Sequence, residues 1–345
     1  MAENTQSRFV IRMSAGVTER LPRLLGKAMT VAMACALLPV MGGAQTLATY
    51  RGGSNFVFYA LDNCNREPFA VIPNYDEKKA IIDGILAQMY RNGQRSVSIN
   101  LFFMHGGHNS LMDSTGGDVD EKYKRNLKDF IASAKGIGFQ NLMVRFGPQG
   151  ENRPWRNGSS WLEWREDLYQ EHLGLIKSLH PIIAQSGMKY LIDLFSEGIP
   201  TANQPMMLRY SQRLWKDYTS LYGKLDTAGI SIIPLPSQDR FAQLPAVYGD
   251  NPPLFMNIHF YANAFDTASF AQRRLRSLGY GDTPWIIGEA HYNDAEEAQD
   301  LGRFIAQTRQ KVVYLLQWPE TKARTCRDVD VGSPVNFEQY SNAGF

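Results

Sequence analysis

From residue 54 onward, short apolar segments alternate with amphipathic ones, and glycine separates many of the pairs; this alternation restricts the possible folds more than any single motif. β-Branched and aromatic runs predict strands over Ser54–Leu61, Val97–Met104, Asn141–Phe146, Tyr190–Phe195, Ile230–Leu235, Leu254–Tyr261, the run Trp285–Ile287, and Val312–Trp318. Between them, apolar residues at helical spacing (Ile81, Ile82, Ile85 and Met89 in the first case) predict helices. These cover Tyr75–Asn92, Tyr123–Lys135, Leu168–Gln185, Met206–Ala228, a short one near Phe241–Val247, Ala268–Leu278 and Ala295–Arg309. Gly93, Gly136, Gly187, Gly229 and Gly279 provide the stops. Such alternation demands a parallel sheet. Eight units in about 270 residues imply an α/β fold closed into a (β/α)8 TIM barrel.

On that barrel the residues following each strand converge on one face. They are Asp62 and Asn63; His105 and His108; Arg145; Glu197; Pro236 and Gln238; His259 and Tyr261; Glu289 and Tyr292; Gln317 and Trp318. In the stretch Pro284 to Tyr292 the apolar run stops at Gly288 and a carboxylate, where a core strand has no use for a charge, so the strand is expected to present Glu289. A glutamate that merely begins a loop and pairs with an arginine is the alternative. The functional reading is preferred because Ser196-Glu197-Gly198 repeats the pattern after strand four. Two carboxylates with histidines, tyrosines, an arginine and aromatics suit hydrolysis of a glycosidic bond, which needs an acid, a nucleophile or base, and apolar faces for sugar rings. Asp193 should point into the barrel as a buried structural carboxylate paired with Arg145.

Glutamates at the ends of strands four and seven, His259 and Tyr261 at strand six and Trp318 at strand eight resemble clan A of the retaining glycoside hydrolases, which includes many endoglucanases, mannanases and xylosidases. The resemblance extends over the chain beyond its leader as an order of elements, with no long motif. It implies Glu197 as acid/base and Glu289 as nucleophile, with carboxyl groups about 5 to 5.5 Å apart. Glu289 is then expected to be held ionised by donors such as Tyr261 or Arg145, and Glu197 to be kept protonated. Two departures stand out. Arg145 lies one strand later than the arginine the clan often carries, and Ser196 holds the place where the clan usually has an asparagine that bonds the sugar 2-hydroxyl. Ser196 keeps a second reading open: a sugar-binding barrel without catalysis, taking part in exopolysaccharide assembly or export.

His105-Gly106-Gly107-His108 has too few companions of ligand spacing for a metal site, and without a Gly-x-Ser-x-Gly elbow an esterase is not expected; a substrate-contacting loop is the better reading. Trp155, Trp161 and Trp164 follow strand three. Sugar stacking is expected of Trp155 and Trp161, and helix packing of Trp164. The substrate-contacting set is therefore His105, His108, Arg145, Trp155, Trp161, Ser196, His259, Tyr261, Tyr292 and Trp318, with no metal or organic cofactor expected.

Ahead of the barrel, Arg8, Arg12, Arg20, Arg23 and Lys27 precede an uncharged apolar run, Ala28 to Met41, and then Gly42-Gly43-Ala44: a secretory signal peptide, cleaved after Ala44. That leaves 345 − 44 = 301 residues: a short linker, 45–53, and one barrel, 54–345. Export to a periplasmic or extracellular compartment permits disulfides. Cys64 after strand one and Cys326 after strand eight become neighbours when the barrel closes. With 36 Lys plus Arg against 34 Asp plus Glu and no block of like charge, nucleic acid is not an expected partner. The expected partner is a polysaccharide or oligosaccharide bound by a monomer.

Overall fold

The chain runs β1 (Gly53–Asn55), α1 (Tyr75–Arg91), β2 (Ser96–Met104), α2 (Glu121–Ile137), β3 (Asn141–Pro148), α3 (Glu166–Ala184), β4 (Lys189–Asp193), α4 (Pro205–Tyr222), β5 (Thr227–Gly229), α5 (Leu244–Tyr248), β6 (Met256–His259), α6 (Ala264–Ser277), β7 (Trp285–Glu289), α7 (Ala295–Thr308), β8 (Val312–Gln317) and α8 (Glu338–Asn342). The structure is a computed structural model and describes residues 52–59, 71–108, 111–156, 159–261, 263–320 and 332–345. The leader, Asp62, Asn63 and both Cys64 and Cys326, and with them the expected disulfide, lie outside the described residues.

Hydrogen bonding orders the strands β5-β4-β3-β2-β1-β8-β7-β6, every neighbouring pair parallel. The two outer strands meet through a parallel bridge, Ile232 to Ile258, in which the Ile232 N–H donates to the Asn257 carbonyl at 3.0 Å. The result is the nearly closed (β/α)8 barrel that the alternation requires. Helix α2 illustrates the outer layer. Leu127, Phe130, Ile131 and Ala134 bury one face, Asp120 accepts from the Lys122 N–H at its start, and Gly138 ends it in the left-handed region at φ 117°. Such a cap stabilises by about 1 kcal/mol.

Strand alternation sorts the apolar residues into two cores. Met143, Leu191, Ala228, Ile286, Tyr314 and Leu316 fill the barrel interior, while Trp285 faces out and stacks on Phe304 of α7 with ring centroids 5.4 Å apart. One layer above, at the carboxyl ends of the strands, the interior turns polar: Asn55, Arg145, Asp193, His259, Glu289 and Gln317 are all buried there.

The helix expected over Met206–Ala228 ends at Tyr222 instead, and the strand expected at Ile230–Leu235 is assigned to Thr227–Gly229. Gly223, at φ 77°, breaks the helix. The Asp226 carboxylate then accepts from Tyr218 at 2.9 Å and Tyr190 at 3.1 Å and meets Nε2 of His180 at 2.7 Å. Those contacts anchor the chain so that Thr227 enters the sheet.

Candidate active site

By alternation from Ile286, the inward position at the end of β7 belongs to residue 288, and Glu289 would face the helices. Pairing with β6 shifts there: Ile287 pairs with Ile258, but Glu289, not Gly288, pairs with His259. This bulge turns the glutamate into the barrel mouth. Gly288 is required at the bulge because a Cβ would collide with Oδ1 of Asn257. The carboxylate is not presented to solvent as the strand pattern suggested; its side chain is 4 % exposed, ion-paired through Oε1 to Nη2 of Arg145 and bonded through Oε2 to the Tyr261 hydroxyl.

Arg145 organises the floor. From β3 it reaches Asp193 on the adjacent strand (Nε to Oδ2, 3.4 Å) and Asn55 on β1 (Nη1 to Oδ1, 2.8 Å), while Nη2 also serves Ser196 Oγ at 2.7 Å and faces His259 Nε2 at 3.1 Å. The Asn55 amide in turn donates to the carbonyls of Gly288 and Gln317 at 2.9 and 3.1 Å, fixing β7 and β8 against β1. Asp193 is thus the buried structural partner expected of it. A ring nitrogen that faces a guanidinium N–H must accept, so the proton of His259 resides on Nδ1, directed at Glu197 Oε1, 3.2 Å away.

Glu197 is held differently. It lies beyond the end of β4 with φ at 59°, a left-handed conformation costing a non-glycine residue roughly 1–2 kcal/mol. Its N–H donates to Ser231 Oγ at 2.7 Å, and the Ser231 N–H donates to Asp193 Oδ1 at 3.2 Å, which ties the strained turn to the polar floor. Its side chain is 26 % exposed and accepts from the Tyr261 hydroxyl at 3.1 Å, so one phenol touches both glutamates. Ser196 Oγ, as acceptor from Arg145, retains its own proton for a further partner.

Burial raises the Glu289 carboxyl above the usual range, Arg145 and His259 oppose this, and the charge of Glu197 adds to it. Glu197 is also pushed up by burial, but its hydrogen bond and charge interaction with His259, and the charges of Arg153 and Arg145, bring it below the usual range. Of the two acids, Glu289 is thus pushed toward its protonated form and Glu197 away from it. This reverses the ionisation expected from the sequence, because Glu289 is the more deeply desolvated of two coupled acids.

Glu197, His259 and Glu289 each offer one ligand atom, all within 4.8 Å of one another, a donor set that metals also use. The buried guanidinium of Arg145 in contact with Glu289 and His259 already supplies positive charge there and would repel a divalent cation. The donor set fits a proton-sharing acid pair better than a metal.

Six of the expected residues thus come together: Arg145, Ser196, Glu197, His259, Tyr261 and Glu289. His105 and His108 lie exposed on the loop after β2, where His105 Nδ1 meets the buried Glu171 carboxylate at 2.6 Å. That contact raises the His105 pKa through the hydrogen bond and charge of Glu171. Trp155 packs on the core; Trp161 packs edge-on against Trp164 and Tyr210 at 5.8 and 5.6 Å and donates to the Glu151 carbonyl. Tyr292 accepts from the Asn336 N–H at 3.1 Å, and Trp318 packs with Val57, Phe58 and Phe102. The sequence reading missed Asn55, Ser231, Arg153 and Arg240. Only Asn55 carried a signal, as a polar residue within an apolar strand.

No protein-family model matches the chain, and no curated protein is similar to it in sequence. Solved structures resemble it in fold. A GH5_18 protein from Bifidobacterium longum subsp. longum superposes with a TM-score of 0.55 at 11 % identity, over 85 % of this chain and 77 % of that one. A variant of a GH5_18 protein from Streptomyces cattleya, in complex with Manβ1-4GlcNAc, gives 0.54 at 10 %, over 86 % and 79 %. An exo-β-1,4-mannosidase from an Opitutaceae bacterium gives 0.53 at 12 %, over 86 % and 58 %. At these identities the likeness is one of fold.

Proposed function

We propose that the chain is a glycoside hydrolase that cleaves a polysaccharide or oligosaccharide with retention of configuration, Glu289 acting as nucleophile and Glu197 as acid/base. The observation that carries this reading is the pairing itself. Two carboxylates at the carboxyl ends of β4 and β7 share one tyrosine hydroxyl and, with His259, offer oxygens and nitrogen within 4.8 Å. That spacing supports retention, which uses carboxyls about 5–5.5 Å apart, over inversion, which leaves about 6.5–9.5 Å for a water.

In the first step a Glu289 oxygen attacks the anomeric carbon, the glycosidic bond breaks, and Glu197 gives its proton to the departing oxygen. In the second, Glu197 takes a proton from water as that water displaces Glu289 from the sugar, and both carboxyls return to their starting state. The Tyr261 hydroxyl, in contact with both acids, offers a path for a proton between them. Arg145 then offsets the charge left on Glu289 in a buried setting. Ser196, with its proton available, serves the sugar 2-hydroxyl, and the leader and its small-residue site support export.

The names of the structural neighbours make β-mannose glycans the first substrates to try. The test is turnover on a panel of mannans, glucans and secreted bacterial polysaccharides, with the product anomer read by NMR. It is joined to peptide mapping after a 2-deoxy-2-fluoro glycoside: the label is expected on Glu289 with the configuration retained. An inverted product or a label elsewhere rejects the mechanism. Binding of glycans without turnover of any replaces it with the non-catalytic sugar-binding barrel.

A further inference from the structure

Arg240 lies in the turn between β5 and α5 and is 8 % exposed. Its Nη1 donates to the Ile199 carbonyl at 2.8 Å, its Nε has no partner, and no carboxylate pairs with it among the described residues. The adjacent acid, Asp239, turns away to Arg274 at 2.7 Å. A buried guanidinium satisfied by one backbone carbonyl is costly, because desolvation removes the water that would stabilise its charge. Burial lowers the Arg240 pKa, the charge of Glu197 opposing and that of Arg153 adding, so all three groups act on one another. Arg153 follows β3, Glu197 follows β4 and Arg240 follows β5, three neighbouring strands, and Arg240 reaches the Ile199 carbonyl two residues beyond Glu197.

We infer that Arg240 and Arg153 form a subsite for a carboxylate carried by the sugar on the Glu197 side of the cleaved bond, so that the substrate is an acidic glycan built with uronate. The inference rests on the glycosidase reading and names its substrate class. A guanidinium offers two parallel N–H donors that match a carboxylate, and a ligand carboxylate would satisfy the open donors of Arg240 and supply the charge its surroundings withhold. Glu197 does not fill this role, since its carboxylate is already engaged by His259 and Tyr261. A carboxylate bound there would also offset Arg153, whose charge lowers the Glu197 carboxyl, and Arg240, which interacts with Glu197, and so favour the protonated acid needed for the first step.

The test compares binding of tetramannuronate and its neutral counterpart mannotetraose to the full exported chain carrying Glu289→Ala, by calorimetry at low and high salt. The expected result is an acid preference of about tenfold or more that weakens with salt and disappears with Arg240→Gln. If Arg240→Gln does not fold, Arg153→Gln enters the same comparison. A purely structural Arg240 would weaken both ligands equally. Equal affinity for the two tetrasaccharides, or a preference that survives the substitution, overturns the subsite. Turnover of neutral glycans alongside that result leaves the glycosidase reading standing. A selective, Arg240-dependent uronate site in a wild-type protein that cleaves no glycan overturns the glycosidase reading instead.

Discussion

Glu289 closes a bulged strand, opposite His259 and in contact with a guanidinium that is wholly buried, whereas Glu197 rides on a left-handed turn beyond β4, a quarter exposed, with its carboxylate bonded to the His259 ring and the Tyr261 phenol. One carboxylate is sealed and charge-compensated; the other is open and strained. The difference matches what the proposed double displacement would ask of the two acids. A nucleophile must be dry and aimed, and an acid/base must meet both a leaving group and water.

The largest effect should come from the sealed side. Glu289→Ala is expected to lower kcat by at least about 10⁴-fold on any glycan the wild type cleaves, since no other group there can form the glycosyl ester. Wild-type turnover in that variant would dissolve the comparison. Glu197→Ala should cost about 10² to 10⁴ on natural glycans. On aryl glycosides with a good leaving group it should spare the first step and let the covalent intermediate accumulate, which burst kinetics will register.

Arg145→Met tests the sealing itself. It leaves Glu289 and Asp193 buried without their cation, and urea unfolding should show a loss of about 3 to 5 kcal/mol. On the open side, Ser231→Ala removes the acceptor for the Glu197 N–H and should cost only about 1 to 3 kcal/mol. Equal losses would mean that the two acids are held alike.

The finest probe is pH. Glu289, raised above its unfolded value by burial, contributes stability below that unfolded value and loses it as pH rises through the folded one. Glu197 is lowered despite burial, through His259 and the nearby arginines, so its contribution is present above the unfolded value and fades as pH falls through the folded one. Glu289→Gln should remove the first slope of stability against pH and Glu197→Gln the second. In the latter variant carboxyl NMR should find Glu289 titrating lower, because the charge of Glu197 helps to raise it. An unchanged Glu289 titration would uncouple the pair.

Much of this is legible in the sequence. The run Trp285-Ile286-Ile287 reads as a buried strand, and a carboxylate after it in a βα repeat lies at the carboxyl-end face of the barrel. The fifth strand was misplaced because Leu225 and Ala228 continue the apolar spacing of α4, although Leu225 is 81 % exposed and Ala228 fills the barrel. Periodicity counts apolar residues and is blind to Asp226, whose three side-chain partners come from α3, β4 and α4.

The sequence by itself determined the barrel, the strands that carry the two glutamates, and the company of Arg145, His259 and Tyr261, because element type and order follow from local periodicity and parallel strands bring their carboxyl ends to one face. Tertiary structure alone decided that Glu289 is aimed inward by a bulge rather than by alternation, that Glu197 hangs from Ser231, and that Trp161 lies against Tyr210. It also left Arg240, among the described residues, without a carboxylate partner. Each of these depends on which side chains meet once the strands close. Register shifts and long-range contacts are properties of the closed ring, and no window of sequence contains both partners.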